Sequence, residues 1–205
     1  MLAGYMSHLL VLIMGILLAT GWKEELFGRT LRRSWLMLGL ALWVALVHVH
    51  VPLGKYACSL AWFLLVAGLM IYRSKQRIFE RRGHGLLISL IIAAVLLLYD
   101  QLVYLEPRFF LLHPRYDASL LLGMCILLFT RSPMQQLTIV TLSLTVFQFA
   151  QTAFHPIESP PVPIGDTVFF DQWLLVFILC RTVSILMERG HGILKGLLQP
   201  QKERE

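Results

Sequence analysis

Charged residues are scarce in this chain, and that scarcity is the first guide to its class. Only 15% of the 205 residues are charged, whereas 57% are hydrophobic and the mean hydropathy is +0.70. Because soluble domains carry roughly 25% charged residues, the composition excludes an ordinary soluble protein. No segment is both long and polar enough to form a second domain, so we expect residues 1–205 to form a single all-α membrane domain.

Several signatures of known chemistry are missing as well. The chain contains no asparagine, and its three cysteines, Cys58, Cys125 and Cys180, show no CxxC spacing. We therefore expect buried free thiols rather than a disulfide or a metal site. There is no HExxH string, no phosphate-binding loop and no dinucleotide-binding fingerprint. These absences favour a protein without enzymatic chemistry, cofactor or metal.

Seven apolar stretches divide the chain. A helix needs ~20 residues to cross ~30 Å of hydrocarbon, and a helix satisfies its own backbone hydrogen bonds there. The sequence therefore predicts a polytopic transmembrane helical bundle of about seven spans. The first stretch lacks the basic start of a signal peptide and is expected to be retained. The predicted spans are residues 3–21, 35–53, 56–72, 85–105, 117–130, 135–154 and 167–188.

The basic residues alternate from one side of these spans to the other. Of the 18 Lys and Arg residues, 14 fall in the loops of one side, 3 on the other side and 1, Arg181, within a span. Basic residues collect in cytoplasmic loops, so we expect a multi-pass plasma-membrane protein with its N-terminus outside and the tail 189–205 in the cytoplasm. The positive charge is expected to contact lipid headgroups rather than nucleic acid. Arg181 is expected to reach the interface by extending its side chain.

The sixth span carries a regular polar pattern. Its polar positions are spaced 3, 4, 3 and 4 residues apart and share one helix face. They form the polar stripe: Thr138, Thr141, Thr145, Gln148 and Thr152. Such a stripe bonds to neighbouring helices or lines a wet pathway. The pattern favours helix packing, and transport of a small solute or cation along the stripe is the alternative.

Ionisable residues near the outer ends of spans form a second candidate set. Asp100 and Asp171 lie there, as do His48 and His50. Ionisable groups are costly in lipid, so these residues are candidates for a site that binds a divalent cation or senses protons. Side chains two positions apart on a helix point in directions that differ by ~200°. His48 and His50 are therefore not expected to bind the same metal ion. Ordinary interfacial polarity is the favoured interpretation.

Two short strings resemble motifs of the CAAX-protease membrane family. Residues Glu24 to Arg29 match EExxxR, and Phe109 to His113 match FxxxH. The resemblance implies glutamates that activate water at an intramembrane metal, as a second alternative function. However, the charge pattern places the two strings on opposite sides of the membrane, and the family's third motif needs an asparagine. A surface ion pair between Glu25 and Arg29, four residues apart, explains the first string.

Two further patterns concern chain organisation. Residues 82–87 recur as 189–194, with Arg-Gly-His-Gly in both copies. This echo indicates either a structural repeat of three, one and three spans, as in some transporters, or two helices that end with a glycine cap, which we favour. The loop 155–166 contains four prolines and is expected to be extended.

The end of the first span resembles a known family. The run Ala-Thr-Gly-Trp-Lys-Glu-Glu-Leu at residues 19–26 is similar to the YphA-type membrane proteins of endospore-forming Gram-positive bacteria. This resemblance implies a bacterial plasma-membrane protein and supplies no catalytic residues. We therefore expect a non-enzymatic protein that acts by helix packing or by binding a membrane-protein partner or a second copy of itself.

Overall fold

The computed structural model describes residues 4–28, 32–75, 80–106, 108, 114–154 and 162–198, without the side chains of residues 72–75, 80–83, 114–115 and 191–198. Within these ranges the chain forms eight helices and three short strands. In order they are α1 (Tyr5–Thr20), α2 (Lys23–Phe27), α3 (Arg33–Leu46), β1 (His50–Leu53), β2 (Tyr56–Ser59), α4 (Leu60–Lys75), α5 (Glu80–Leu105), α6 (Pro114–Phe129), α7 (Pro133–Phe154), β3 (Val162–Ile164) and α8 (Thr167–Leu198).

Most of these helices are apolar, but they differ in length. Among the described residues, three helical segments are long and apolar enough to cross a membrane: His84–Leu105, Pro133–Phe154 and Thr167–Gly190. Four shorter apolar segments fall in α1, α3, α4 and α6. The helical class predicted from the sequence is confirmed, with helices at all seven predicted positions.

Helices α7 and α8 lie at the centre of the bundle. Helix α7 packs against α5 and α8, and α8 packs also against α1 and α6. The fully buried side chains include Phe170 and Phe177 of α8, Val140 of α7 and Ile126 of α6. Many large apolar side chains on the outer helices are instead exposed, such as Leu98 and Leu128. An outward apolar surface of this kind suits a lipid environment.

A small sheet replaces helix at the junction of the second and third predicted spans. Helix α3 ends at Leu46, and β1 pairs antiparallel with β2. The predicted bounds 35–53 and 56–72 were therefore wrong at this junction. The local sequence explains the hairpin, because Pro52 cannot donate within a helix and Gly54 adopts φ +62° in the two-residue turn.

The sheet is completed from a distant part of the chain. Strand β3 pairs in parallel with β2, with Ile164 beside Cys58. Gly165 follows β3 with φ +64°, and a Cβ added there would overlap Cβ of Trp62. Glycine is thus required where this segment crosses α4. The extended structure predicted for 155–166 is confirmed at 162–164, whereas residues 155–161 lie outside the described residues.

Other predicted details changed at helix ends. The fifth predicted span begins three residues earlier than expected, at Pro114, a favoured first helical residue. The first Arg-Gly-His-Gly copy lies in the first turns of α5, and the second lies inside α8. The helix-end interpretation of these strings was therefore wrong. All three cysteines are free thiols, with Cys58 and Cys180 buried.

Candidate functional site

The middle of the polar stripe faces neighbouring helices. The indole N–H of Trp173 in α8 donates to Oγ1 of Thr141 at 2.8 Å. The indole N–H of Trp62 in α4 donates to Oγ1 of Thr145 at 3.2 Å. The Thr141 hydroxyl also donates to the Leu137 carbonyl of its own helix at 2.8 Å. Each of the two threonine hydroxyls thus accepts a bond that joins α7 to another helix.

The remaining stripe residues differ in their partners. The Gly165 N–H donates to Oε1 of Gln148 at 3.0 Å, and Nε2 of Gln148 donates to the Pro163 carbonyl at 3.4 Å. Gln148 therefore holds the segment around β3 against α7. The hydroxyls of Thr138 and Thr152 donate to carbonyls of α7 itself. Among the described residues, three of the five predicted stripe residues thus bond across elements, and the other two bond within α7.

The two predicted outer carboxylates both have partners. Asp171 of α8 accepts the Gly4 N–H on Oδ2 at 2.9 Å and the Ser7 N–H on Oδ1 at 2.5 Å. The first N–H groups of a helix lack partners within it, and negative charge is favourable there. Asp171 therefore caps α1 from a different helix. Asp100 of α5 accepts from Nε2 of Gln151 in α7 at 3.1 Å.

Arg181 is buried among the helices, with its side chain 3% exposed. The prediction that it reaches the interface stays a prediction, but the side chain extends to segments at the ends of neighbouring helices. Nε and Nη2 both donate to the Glu25 carbonyl, with Nε at 3.1 Å, and Nη1 donates to the Arg131 carbonyl at 3.2 Å. The forked guanidinium can serve several acceptors at once. It therefore joins α8 to α2 and to the turn between α6 and α7.

A glutamine next to the stripe forms a second buried contact at this end. Gln136 is fully buried, and its Nε2 donates to the Thr130 carbonyl at 3.1 Å and to Oγ of Ser184 at 2.8 Å. Its Oε1 has no hydrogen-bond partner among the described residues. Gln136 and Arg181 together tie the turn between α6 and α7 to the middle of α8.

The protease-like strings are not assembled into a site by the described residues. The Glu25 carboxylate lies 3.9 Å from Nη2 of Arg189 in α8. Arg29, Phe109 and His113 lie outside the described residues, as does the predicted pair between Glu25 and Arg29. Within the described ranges, no three His, Cys, Asp or Glu side chains are grouped as metal ligands would be.

Two histidines meet at the opposite end of the bundle. The rings of His8 and His48 stack with centroids 5.6 Å apart, and His8 also lies against Trp43 at 5.5 Å. Nδ1 of His8 is 2.6 Å from the Gly4 carbonyl. His50 instead contacts the His48 carbonyl through Nδ1 at 3.1 Å. The contact places His8 and His48 beside the capped start of α1.

An apolar groove lies beside α3, which also contacts α1 and α4. Its volume is about 270 Å³, and it lies among α1, α3, α4, α7 and α8, with Phe27 of α2 at one end. No residue of the polar stripe lines it. The lining comprises Val11, Met14, Leu18, Phe27, Trp35, Leu36, Gly39, Leu40, Trp43, Ala61, Leu64, Leu65, Gly68, Leu69, Met134, Leu137, Trp173 and Leu174.

Comparison with known proteins assigns the chain to a family. A family model described as YphA-like integral membrane protein matches residues 26–205. The chain belongs to the YphA-like integral membrane protein family. The predicted resemblance is thereby confirmed, although residues 19–26, which suggested it, lie almost entirely before the match. No curated protein and no solved structure matches the chain.

The sequence pointed to some features of this YphA-like protein and missed others. The regular spacing of polar residues in the sixth span identified the stripe. The cost of placing a carboxylate in lipid singled out Asp171. The partners of Arg181 were missed, although a lone arginine in an apolar span was itself a signal of a buried contact. The groove was missed too; its signal was a pair of helical glycines, Gly39 and Gly68, in consecutive apolar stretches.

Proposed function

We propose that all seven apolar helices of this integral membrane protein cross a bacterial plasma membrane, with the N-terminus outside and the C-terminus in the cytoplasm. The proposal is supported by the alternation of basic loops and by the apolar surfaces of the outer helices. The shorter helices need a locally thinner bilayer or the extra length of flanking segments. The small sheet extends the short α3 and α4 at the outer end.

We further propose that the protein is non-enzymatic and acts by helix packing and by binding a membrane-protein partner. The observation that carries this proposal is the hydrogen bond from the indole N–H of Trp173 to the hydroxyl of Thr141. Thr141 is a buried residue of the stripe, and its hydroxyl bonds to another helix. Gln148 and Thr145 are similarly engaged. Polar groups with partners inside the bundle favour a packing role over a transport pathway.

Replacement of Gln148 by leucine tests the packing role. The Gly165 N–H would lose its acceptor, at a cost of about 1–3 kcal/mol for an unpaired buried group. We expect Gln148→Leu to lower both membrane abundance and the thermal unfolding midpoint of the purified protein. Thr152→Val is the matched control, because Thr152 is half-buried and its hydroxyl bonds, among the described residues, to a carbonyl of its own helix. If Gln148→Leu matched that control in both measurements, the transport hypothesis would be favoured instead.

A further inference from the structure

We propose that the apolar groove binds one acyl chain of an anionic membrane phospholipid, whose headgroup lies at Arg32 and Arg33. The inference goes beyond the packing role, but it rests on the proposed placement of α3 and α4 in the bilayer. Three properties of the groove support it: its lining and size, the space left by two glycines, and the charge at one end.

The lining and size suit a hydrocarbon chain. The lining is almost entirely hydrocarbon, and a site without polar partners does not hold water well. A ~150 Å³ apolar cavity accommodates benzene, whereas this groove measures about 270 Å³. Trp35 and Trp43, both in the lining, are eight residues apart, or about 12 Å along α3. The groove is therefore long enough for much of an acyl chain.

Two glycines keep the groove open. A Cβ added at Gly39 of α3 or at Gly68 of α4 would meet no heavy atom within 4 Å. Trp43 is the buried residue of α3, and most of that helix is exposed. Close packing normally leaves few voids of this size. Since α3 is placed next to lipid, lipid hydrocarbon is the apolar species available to fill the space.

The basic end of the groove suits an anionic headgroup. Nη2 of Arg33 donates to the Ala19 carbonyl at 2.7 Å, beside Leu18 of the lining. Arg32 and Arg33 are both exposed, and neither forms an ion pair within the part of the chain that the structure describes. Basic side chains at helix ends recruit anionic lipids, and arginine binds phosphate in a bidentate manner. The positive charges of Arg32 and Arg33 thus lie where the headgroup of a phospholipid would lie if its acyl chain occupied the groove.

Quenching of single tryptophans by brominated lipid tests the inference. The full-length protein is reconstituted in phosphatidylcholine vesicles that contain phosphatidylglycerol with dibrominated acyl chains. One variant keeps only Trp173, which is buried in the groove, and another keeps only Trp35, which is 66% exposed. We expect quenching in both, because Trp35 faces bulk lipid and Trp173 is reached by a chain in the groove.

Groove-filling variants complete the test. Gly39→Leu and Gly68→Leu should abolish most of the Trp173 quenching and leave that of Trp35 largely intact. Gly15→Leu in α1 is the matched control, since a Cβ at Gly15 also meets no atom within 4 Å and Gly15 does not line the groove. The quenching is also measured with the bromine on phosphatidylcholine instead of phosphatidylglycerol. The double variant Arg32→Gln, Arg33→Gln should reduce Trp173 quenching by brominated phosphatidylglycerol to the level seen with brominated phosphatidylcholine. Arg131→Gln, the control, should leave the quenching by phosphatidylglycerol unchanged.

The outcomes separate the two proposals. Quenched Trp35 with unquenched Trp173, or Trp173 quenching that survives Gly39→Leu, would overturn the lipid site and leave the seven-span arrangement intact. Unquenched Trp35 would contradict the placement of α3 in the bilayer, and with it both proposals. Trp173 quenching that is insensitive to the headgroup and to Arg32 and Arg33 would overturn the selectivity for anionic lipid.

Discussion

Individual polar residues in this protein differ sharply in how much they contribute to the stability of the fold. Arg181 is 3% exposed and serves two backbone carbonyls, whereas Arg189 in the same helix is 60% exposed in its side chain and lies 3.9 Å from Glu25. An exposed ion pair contributes little to stability, but a buried carbonyl that loses its donor is costly. The two arginines therefore form a matched pair for mutation.

Arg181→Ala should be strongly destabilising and Arg189→Ala nearly neutral. The first change leaves the carbonyls of Glu25 and Arg131 without a donor, at about 1–3 kcal/mol each. The second removes an exposed ion pair with Glu25 and a cation–π contact with the Trp22 ring at 5.6 Å, each worth at most about 1 kcal/mol at an exposed site. Thermal unfolding of both variants in detergent checks the difference, and equal midpoints would contradict the assigned role of Arg181.

Residue-level prediction from the sequence succeeded where a single helix carried the information. The stripe was identified because its spacing is a property of α7 alone. Its partners were not predictable, since Trp62 and Trp173 are 83 and 32 residues away from the threonines they contact. Asp171 was likewise recognised as costly in lipid, but nothing local indicates that it caps a helix 164 residues earlier.

At the scale of elements, hydropathy located the helices and misplaced some of their ends. Residues 47–59 are apolar enough to continue two spans, yet Pro52 and Gly54 introduce a hairpin there. Pairing of β2 with β3 also depends on a segment more than 100 residues away. Local hydropathy contains no information about pairing between distant strands. The sheet could therefore not be predicted from the pattern of apolar residues.

One carboxylate, that of Asp171, holds the start of α1 against α8. In Asp171→Asn the side chain loses its charge and one of its two acceptor oxygens, which weakens the bonds from Gly4 and Ser7. We expect a loss of about 1–2 kcal/mol and faster hydrogen exchange at the first turn of α1. Thr20 lies at the other end of that helix, and its hydroxyl bonds, within the part of the chain that the structure describes, to carbonyls of α1. Thr20→Val should therefore leave this exchange unchanged. Unaltered exchange in Asp171→Asn would show that Asp171 does not hold the start of α1.

Across the whole molecule, the polar stripe and the apolar groove meet at Trp173. Its indole N–H bonds to Thr141 of the stripe, and the residue also lines the groove beside α3. The hydroxyls of Thr141 and Thr145 have partners in other helices, whereas the groove lining is apolar, so we assign helix packing to the stripe and ligand binding to the groove. The family assignment is consistent with the membrane setting and names no reaction.

Cysteine accessibility along the stripe tests the central claim, that the stripe is a packed seam rather than a wet pathway. In a variant without native cysteines, single cysteines replace Thr141, Thr145 and Lys55, and intact cells are treated with a membrane-impermeant maleimide. We predict labelling at position 55, which lies outside by the proposed topology, and none at 141 or 145. Labelling at 141 and 145 in the folded protein would contradict the claim and show that water reaches the stripe.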